Sequence, residues 1–122
     1  MSYKVFVVAG DNQALSALPS AVGAGIDVVL LQSSNEALWE LQQSAPDVLV
    51  ADVDLPGFSG VDLADLVPNF APDTKIMLCA RQPRGQVDAP TAQRVLLGEQ
   101  SPGQIAAALD EVLAMAAPVR AA

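Results

Sequence analysis

Five short apolar runs with helix-period segments between them constrain this chain more than any other feature. They are "KVFVVA" (4–9), "DVVLL" (27–31), "DVLVADV" (47–53), "KIMLCA" (75–80) and "RVLL" (94–97). Most are continuous rather than alternating in polarity, the pattern of strands covered on both faces in a parallel sheet. Parallel strands need crossover connections, and the intervening segments supply them. Ser33 with Glu36 three residues on reads as a capping box that opens a helix to about Gln43. Leu38 and Leu41 of that helix are expected to face the sheet, and Trp39 to be a partly covered helix residue. Ser59 or Gly60 starts a second helix, expected to stop at Val67 because Pro68 follows. Ser101 as N-cap and Pro102 at the first helical position open the last helix. Ile105, Leu109, Val112 and Ala116 then lie on one face of it.

Two stretches resist regular structure. Residues 12–25 carry Pro19, Gly23 and Gly25, so their helix must be short or kinked. Residues 81–93, "RQPRGQVDAPTAQ", carry Pro83, Gly85 and Pro90, which predicts an irregular or shortened helix before the fifth strand. The order implies an α/β fold with a doubly wound, five-stranded parallel sheet. One domain over residues 1–117 is expected, with the Ala-rich end, 118–122, fraying. In such sheets the functional crevice lies outside the carboxyl ends of the strands. Asp11, Asp52, Asp54, Cys79 and Arg81 all fall on that rim.

Composition removes several classes of function. Fourteen acids against six bases give a net charge of −8, which argues against a nucleic-acid or anionic-membrane surface. With no histidine and a single cysteine, Cys79, there is no Cys/His metal set, no intramolecular disulfide and no Ser-His or Cys-His catalytic pair. An enzyme is not expected. The opening "MSYKVFVVAG" is too short in its apolar run for a signal peptide, and no segment approaches a membrane span, so the cytoplasm is the expected compartment.

The stretch "DVLVADVDLPGFSGVDL" (47–63) has an Asp four residues before a Pro-Gly pair and a further Gly after three more positions. With "DVVLLQSSNEALWELQQSAPD" before it and "SPGQIAAALDEVL" after it, it resembles the receiver domain of response regulators over essentially the whole chain. The resemblance implies a flavodoxin-like architecture and a role in two-component phosphorelay signalling. It places Asp52 at the phosphoacceptor position and the backbone carbonyl of Asp54 toward Mg²⁺. A carboxylate attacking a phosphoryl group needs in-line positioning and neutralisation of the equatorial oxygens. Receivers supply these with Mg²⁺ on an acidic pair after strand 1, a Lys after strand 5 and a Thr or Ser after strand 4.

This chain departs from that set. Two small residues, Ala9 and Gly10, stand at the acidic pair, Cys79 at the hydroxyl, and Gly98 followed by Glu99 at the Lys-Pro pair. Asp11 enters the pocket as a metal ligand only by a one-residue shift; otherwise it reads as an N-cap of the first helix. Lys4 and Lys75 both begin strands, at the far end of the sheet from Asp52. The nearest base is Arg81, a candidate to face an anion, ahead of Arg84. Cys79 also reads as a small buried residue.

Two functions are compatible with these residues. In the first, Asp52 accepts a phosphoryl group from a histidine kinase or small phosphodonor, with weakly held Mg²⁺ from Asp11, Asp52 and Asp54. The face of the family's fourth helix, fifth strand and fifth helix then changes its affinity for an output protein, or for a second copy. In the second, the chain is a pseudo-receiver, a phosphorylation-independent interaction module that has lost the acidic pair, the hydroxyl and the Lys.

Overall fold

The computed structural model describes residues 2–82 and 87–120, without the side chains of 117–120. Its strands are β1 (Tyr3–Val8), β2 (Ile26–Leu31), β3 (Val48–Asp52), β4 (Lys75–Ala80) and β5 (Arg94–Leu97). They form one five-stranded parallel sheet, as the runs predict, in the order β2-β1-β3-β4-β5, the flavodoxin-like arrangement that the resemblance implies. The register sets Asp52 opposite Cys79, and Cys79 opposite Leu96, so the C-terminal ends of β3, β4 and β5 share one rim.

Side chains along a strand point alternately to opposite faces, and both faces here are covered. On one side Val5, Val7, Val48, Val50 and Met77 pack against Leu15 and Leu18 and against Ile105, Leu109 and Val112. On the other, Phe6, Val8, Leu49, Ala51 and Leu78 meet Ala37, Leu41, Leu63 and Val67. All five residues of β3 are buried, which explains why its run is continuous and why its last member, Asp52, is taken out of water with the rest.

The helices are α1 (Gln13–Ser16), α2 (Ser34–Gln43), α3 (Gly60–Phe70) and α4 (Pro102–Arg120), with a 3₁₀ turn at Leu18–Ser20 after α1. The short α1 fits the Pro and Gly content of 12–25. Among the described residues between β4 and β5 there is no helix, and Pro83, Arg84 and Gly85 lie outside them. Of the expected tail at 118–122, residues 121 and 122 and the side chains before them also lie outside the description, while the α4 backbone runs to Arg120. In α2, Leu41 is buried as expected and Leu38 is half-buried, with Ala37 buried beside them, and Trp39 is the more exposed side chain, at 63%. The capping box is shifted: Ser33 Oγ accepts from Glu36 N–H, while the Glu36 carboxylate accepts from Gln32 N–H, one residue before the cap.

The second helix does not stop at Val67. It runs through Pro68 to Phe70. A proline inside a helix leaves the carbonyl four residues back without its donor. That carbonyl belongs to Ala64, and the Thr91 hydroxyl, from the irregular segment, donates to it at 3.1 Å. One hydrogen bond thus replaces the missing N–H and fastens the β4–β5 connection to α3. Ala89 and Ala92 pack on the same side of the sheet. Thr91→Val keeps the shape and removes only the donor, so it is expected to lower stability by about 1 kcal/mol. A urea midpoint shift at unchanged slope measures it, and a Thr91→Ser variant retaining the hydroxyl is expected to recover most of the loss.

Candidate functional site

β3 delivers Asp52 to the rim at 0% exposure, and the turn after it holds the carboxylate in place. Asp54 N–H donates to Asp52 Oδ1 at 2.7 Å, an Asx-type turn that engages one oxygen. Val53 N–H bonds the Cys79 carbonyl at 2.9 Å, and Gly60 N–H bonds the Val53 carbonyl at 2.9 Å. The Pro-Gly turn is clamped from the side by buried Ser34 of α2. Its hydroxyl donates to the Pro56 carbonyl at 3.0 Å and accepts from Phe58 N–H at 2.7 Å. Gly57 sits under that clamp with φ 93°, and a Cβ there would lie 2.5 Å from Ser34 Oγ.

The second oxygen of Asp52 is also taken. Asn12 Nδ2 donates to Oδ2 at 2.7 Å, and Arg81 Nε donates to the same oxygen at 2.9 Å. Arg81 reaches onward with Nη2 to Asp11 at 2.7 Å, so one guanidinium spans two carboxylates. The two pairs differ in character. Asp52 is wholly buried, whereas the Asp11 side chain is 86% exposed and its ion pair is screened by water. The hydrogen bond from Arg81 holds the Asp11 carboxyl below the usual carboxylate range. The same bond, joined by those to Asp52, raises Arg81 further above its already high value.

Asn12 was missed by sequence reading. Its amide divides its two ends: Oδ1 accepts from Leu15 N–H at 3.1 Å as the N-cap of α1, and Nδ2 goes to Asp52. The N-cap is therefore Asn12 and not Asp11. An Asn just before a short helix is a cap signal in its own right, but the contact across 40 residues to Asp52 leaves no local trace.

Around this cluster, Ala9 is buried at the end of β1, and Gly10 turns the chain beneath Leu55 and Pro56. Cys79 is buried beside Asp52, and burial first, then the Asp52 charge, pushes its thiol up to about 12, so it stays protonated and is neither nucleophile nor strong donor at neutral pH. Gly98 follows β5 with open space around it. Lys4 and Lys75 lie at the opposite end of the sheet, where Lys4 bonds Ser44 and Lys75 pairs with the start of β3. Beside Arg81 a cavity of about 590 Å³ is lined by Asp11, Asp54, Leu55, Pro56, Gln82 and Glu99.

These residues do not fit Mg²⁺. The ion needs several oxygen ligands in near-octahedral array. Here the Asp52 oxygens already accept three hydrogen bonds, and Asp11 is turned to a guanidinium whose own charge repels a second cation. Among the described residues no group of three or more His, Cys, Asp or Glu side chains is arranged to hold a metal. Nor does any buried side-chain N or O among them lack a hydrogen-bond partner, so no orphan donor or acceptor asks for a ligand. Chemically, the arrangement is a buried carboxylate neutralised from within the chain.

Solved structures share this fold at low sequence identity. A CheY-like response regulator receiver domain protein from Methanospirillum hungatei JF-1 superposes with a TM-score of 0.84 at 14% identity, over 97% of this chain and 98% of that one. The signal receiver domain of an HD domain-containing protein from Pseudomonas fluorescens Pf-5 gives 0.79 at 18% identity, over 98% and 91%. The response regulator TrrA from Thermotoga maritima, solved in complex with Mg²⁺-BeF, gives 0.74 at 18%, over 92% and 99%. No curated protein sequence matches the chain. The sequence profile of the response regulator receiver domain matches residues 5–96, from inside β1 to inside β5. A match over most of the length, on a sheet of the same order, leads to one conclusion: this chain belongs to the response regulator receiver domain family.

Proposed function

We propose that this receiver domain is a protein-interaction module that carries Asp52 at the phosphoacceptor position and works without phosphorylating it. One observation carries the reading: Asp52 is wholly buried with both oxygens hydrogen-bonded, and one of the three donors is the Arg81 guanidinium. Attack on a phosphoryl group needs a free oxygen in line with the leaving group and a cation on the equatorial oxygens. Arg81 instead brings a positive charge onto Asp52 from within the chain, where a phosphorylated receiver uses Mg²⁺. The small residues at 9, 10 and 98 and the thiol at 79 remove the remaining machinery. A kinase or output protein of two-component signalling would then read the shape of the domain and not its phosphoryl charge.

The test is incubation with Mg²⁺ and acetyl phosphate, and separately with beryllofluoride, read by intact mass and amide NMR. The expected result is no phosphoryl adduct and no shifts over residues 52–60, 79–82 and 87–98. A stoichiometric adduct on Asp52 would overturn the proposal. It would establish the second reading, a phosphorylated receiver, which one observation favours: the cavity beside Arg81 gives its guanidinium room to turn outward from Asp52.

A further inference from the structure

The outward face of α2 carries a feature that neither the sheet nor the Asp52 site uses. Trp39, the chain's only tryptophan, stands 63% exposed in a protein with five aromatic residues in all. Leu31, Asn35, Glu36 and Glu40 join it in lining a shallow, largely apolar groove of about 470 Å³. An exposed tryptophan in a groove is an anchor type for protein partners, because it buries a large area at small conformational cost. Glu36 and Glu40 flank it, within an acidic stretch of the chain, and the Lys4 ammonium is bonded to Ser44 at the C-cap of α2. Residues 5–74, which include β2, α2, β3 and α3, hold ten of the fourteen acids and none of the six bases. The groove lies at the β2 edge of the sheet, at the opposite edge from β5.

We infer that this groove docks a cationic protein segment, an apolar side chain against Trp39 with Lys or Arg reaching Glu36 and Glu40. A second copy of the chain is a poor occupant. Each copy carries −8, and three of its six bases, Lys4, Arg81 and Arg94, are already engaged with Ser44, with Asp52 and Asp11, and with Glu111. This inference rests on the chain being a protein-binding module, but not on the chemical state of Asp52, which the mass measurement reads separately.

A synthetic amphipathic Leu/Lys peptide is the probe, titrated into the full chain, with its Leu/Glu counterpart as control. Saturable binding is expected, with a blue shift of Trp39 emission, amide shifts centred on residues 31–40, and affinity that weakens as salt rises. Trp39→Ala, followed by NMR, is expected to weaken binding by roughly tenfold or more. The double variant Glu36→Gln/Glu40→Gln is expected to reduce the affinity and its salt dependence, while the amide oxygen introduced at position 36 still accepts from the Gln32 N–H. Shifts spread over the acidic surface with unchanged Trp39 emission would overturn the inference, as would equal binding of the Leu/Glu peptide or full affinity in Trp39→Ala. Self-association by sedimentation that Trp39→Ala abolishes would overturn the choice of occupant.

Discussion

Arg81→Ala is expected to cost the fold about 3 kcal/mol, because it leaves Asp52 buried with its counter-charge gone. Removing one member of a buried ion pair typically costs about 3–5 kcal/mol, and the low end applies since the Arg81 side chain keeps 22% of its exposure and water can follow the truncation. The two carboxylates on Arg81 separate the causes. Asp11 is 86% exposed, so Asp11→Asn is expected to move the denaturation midpoint little, even though its bond to Arg81 is the shorter of the two at 2.7 against 2.9 Å. Arg81→Lys retains a charge but offers a single ammonium in place of a fork, and should fall between. Equal losses in Asp11→Asn and Arg81→Ala would show that the surface pair, not the buried one, carries the energy. An Arg81→Ala protein as stable as the parent would mean that the bond from Arg81 to Asp52 adds nothing to the fold.

What the sequence allowed and withheld follows the range of the interactions involved. Continuous apolar runs located all five strands to within a residue at either end, since burial on both faces is written locally in β1, β3 and β4, and the half-buried edge strands β2 and β5 keep apolar runs as well. Ser101 and Pro102 marked the start of α4 for the same reason: the cap bond from Gln104 N–H to Ser101 Oγ spans three positions. Pro68 misled because its remedy lies elsewhere in the chain, in Thr91. How far Trp39 stands out was not legible locally, because it follows from α2 burying only Ser34, Ala37 and Leu41. At the site, Asp52 and its turn were legible as a motif, and so were the substitutions at 9, 10, 79 and 98. The Arg81 and Asn12 contacts were not. They join β1, β3 and β4 only once the sheet has brought the three strand ends together, and the order of strands, not any spacing, creates them.

Gly60→Ala is expected to destabilise the fold strongly, because the added methyl would meet backbone on the strand that carries Asp52. A Cβ at residue 60 would lie 2.2 Å from the Asp52 carbonyl oxygen, 2.9 Å from Val53 Cα and 3.0 Å from the Asp52 carbonyl carbon. All three are backbone atoms, so no rotamer change relieves the overlap. The end of β3 and the start of α3 must separate by about 1 Å to reach ordinary contact, in a region with little free volume to absorb it. That separation would strain the Gly60 N–H to Val53 carbonyl bond and shift Asp52 against Arg81 and Asn12. The expected loss is about 3 kcal/mol or more, a large fraction of the roughly 5–15 kcal/mol that holds a domain folded. Gly103→Ala is the matched control. A Cβ there meets nothing nearer than Ser101 Oγ at 3.9 Å, in the first turn of α4, where alanine favours the helix by up to about 1 kcal/mol. Thermal melts of the two variants should therefore move in opposite directions. A Gly60→Ala midpoint within a few degrees of the parent would mean that α3 can step back from β3 without cost. The glycine after the Pro-Gly turn is thus kept by the steric demand of seating a helix N-terminus on the strand that carries Asp52, a demand that persists whether or not Asp52 is ever phosphorylated.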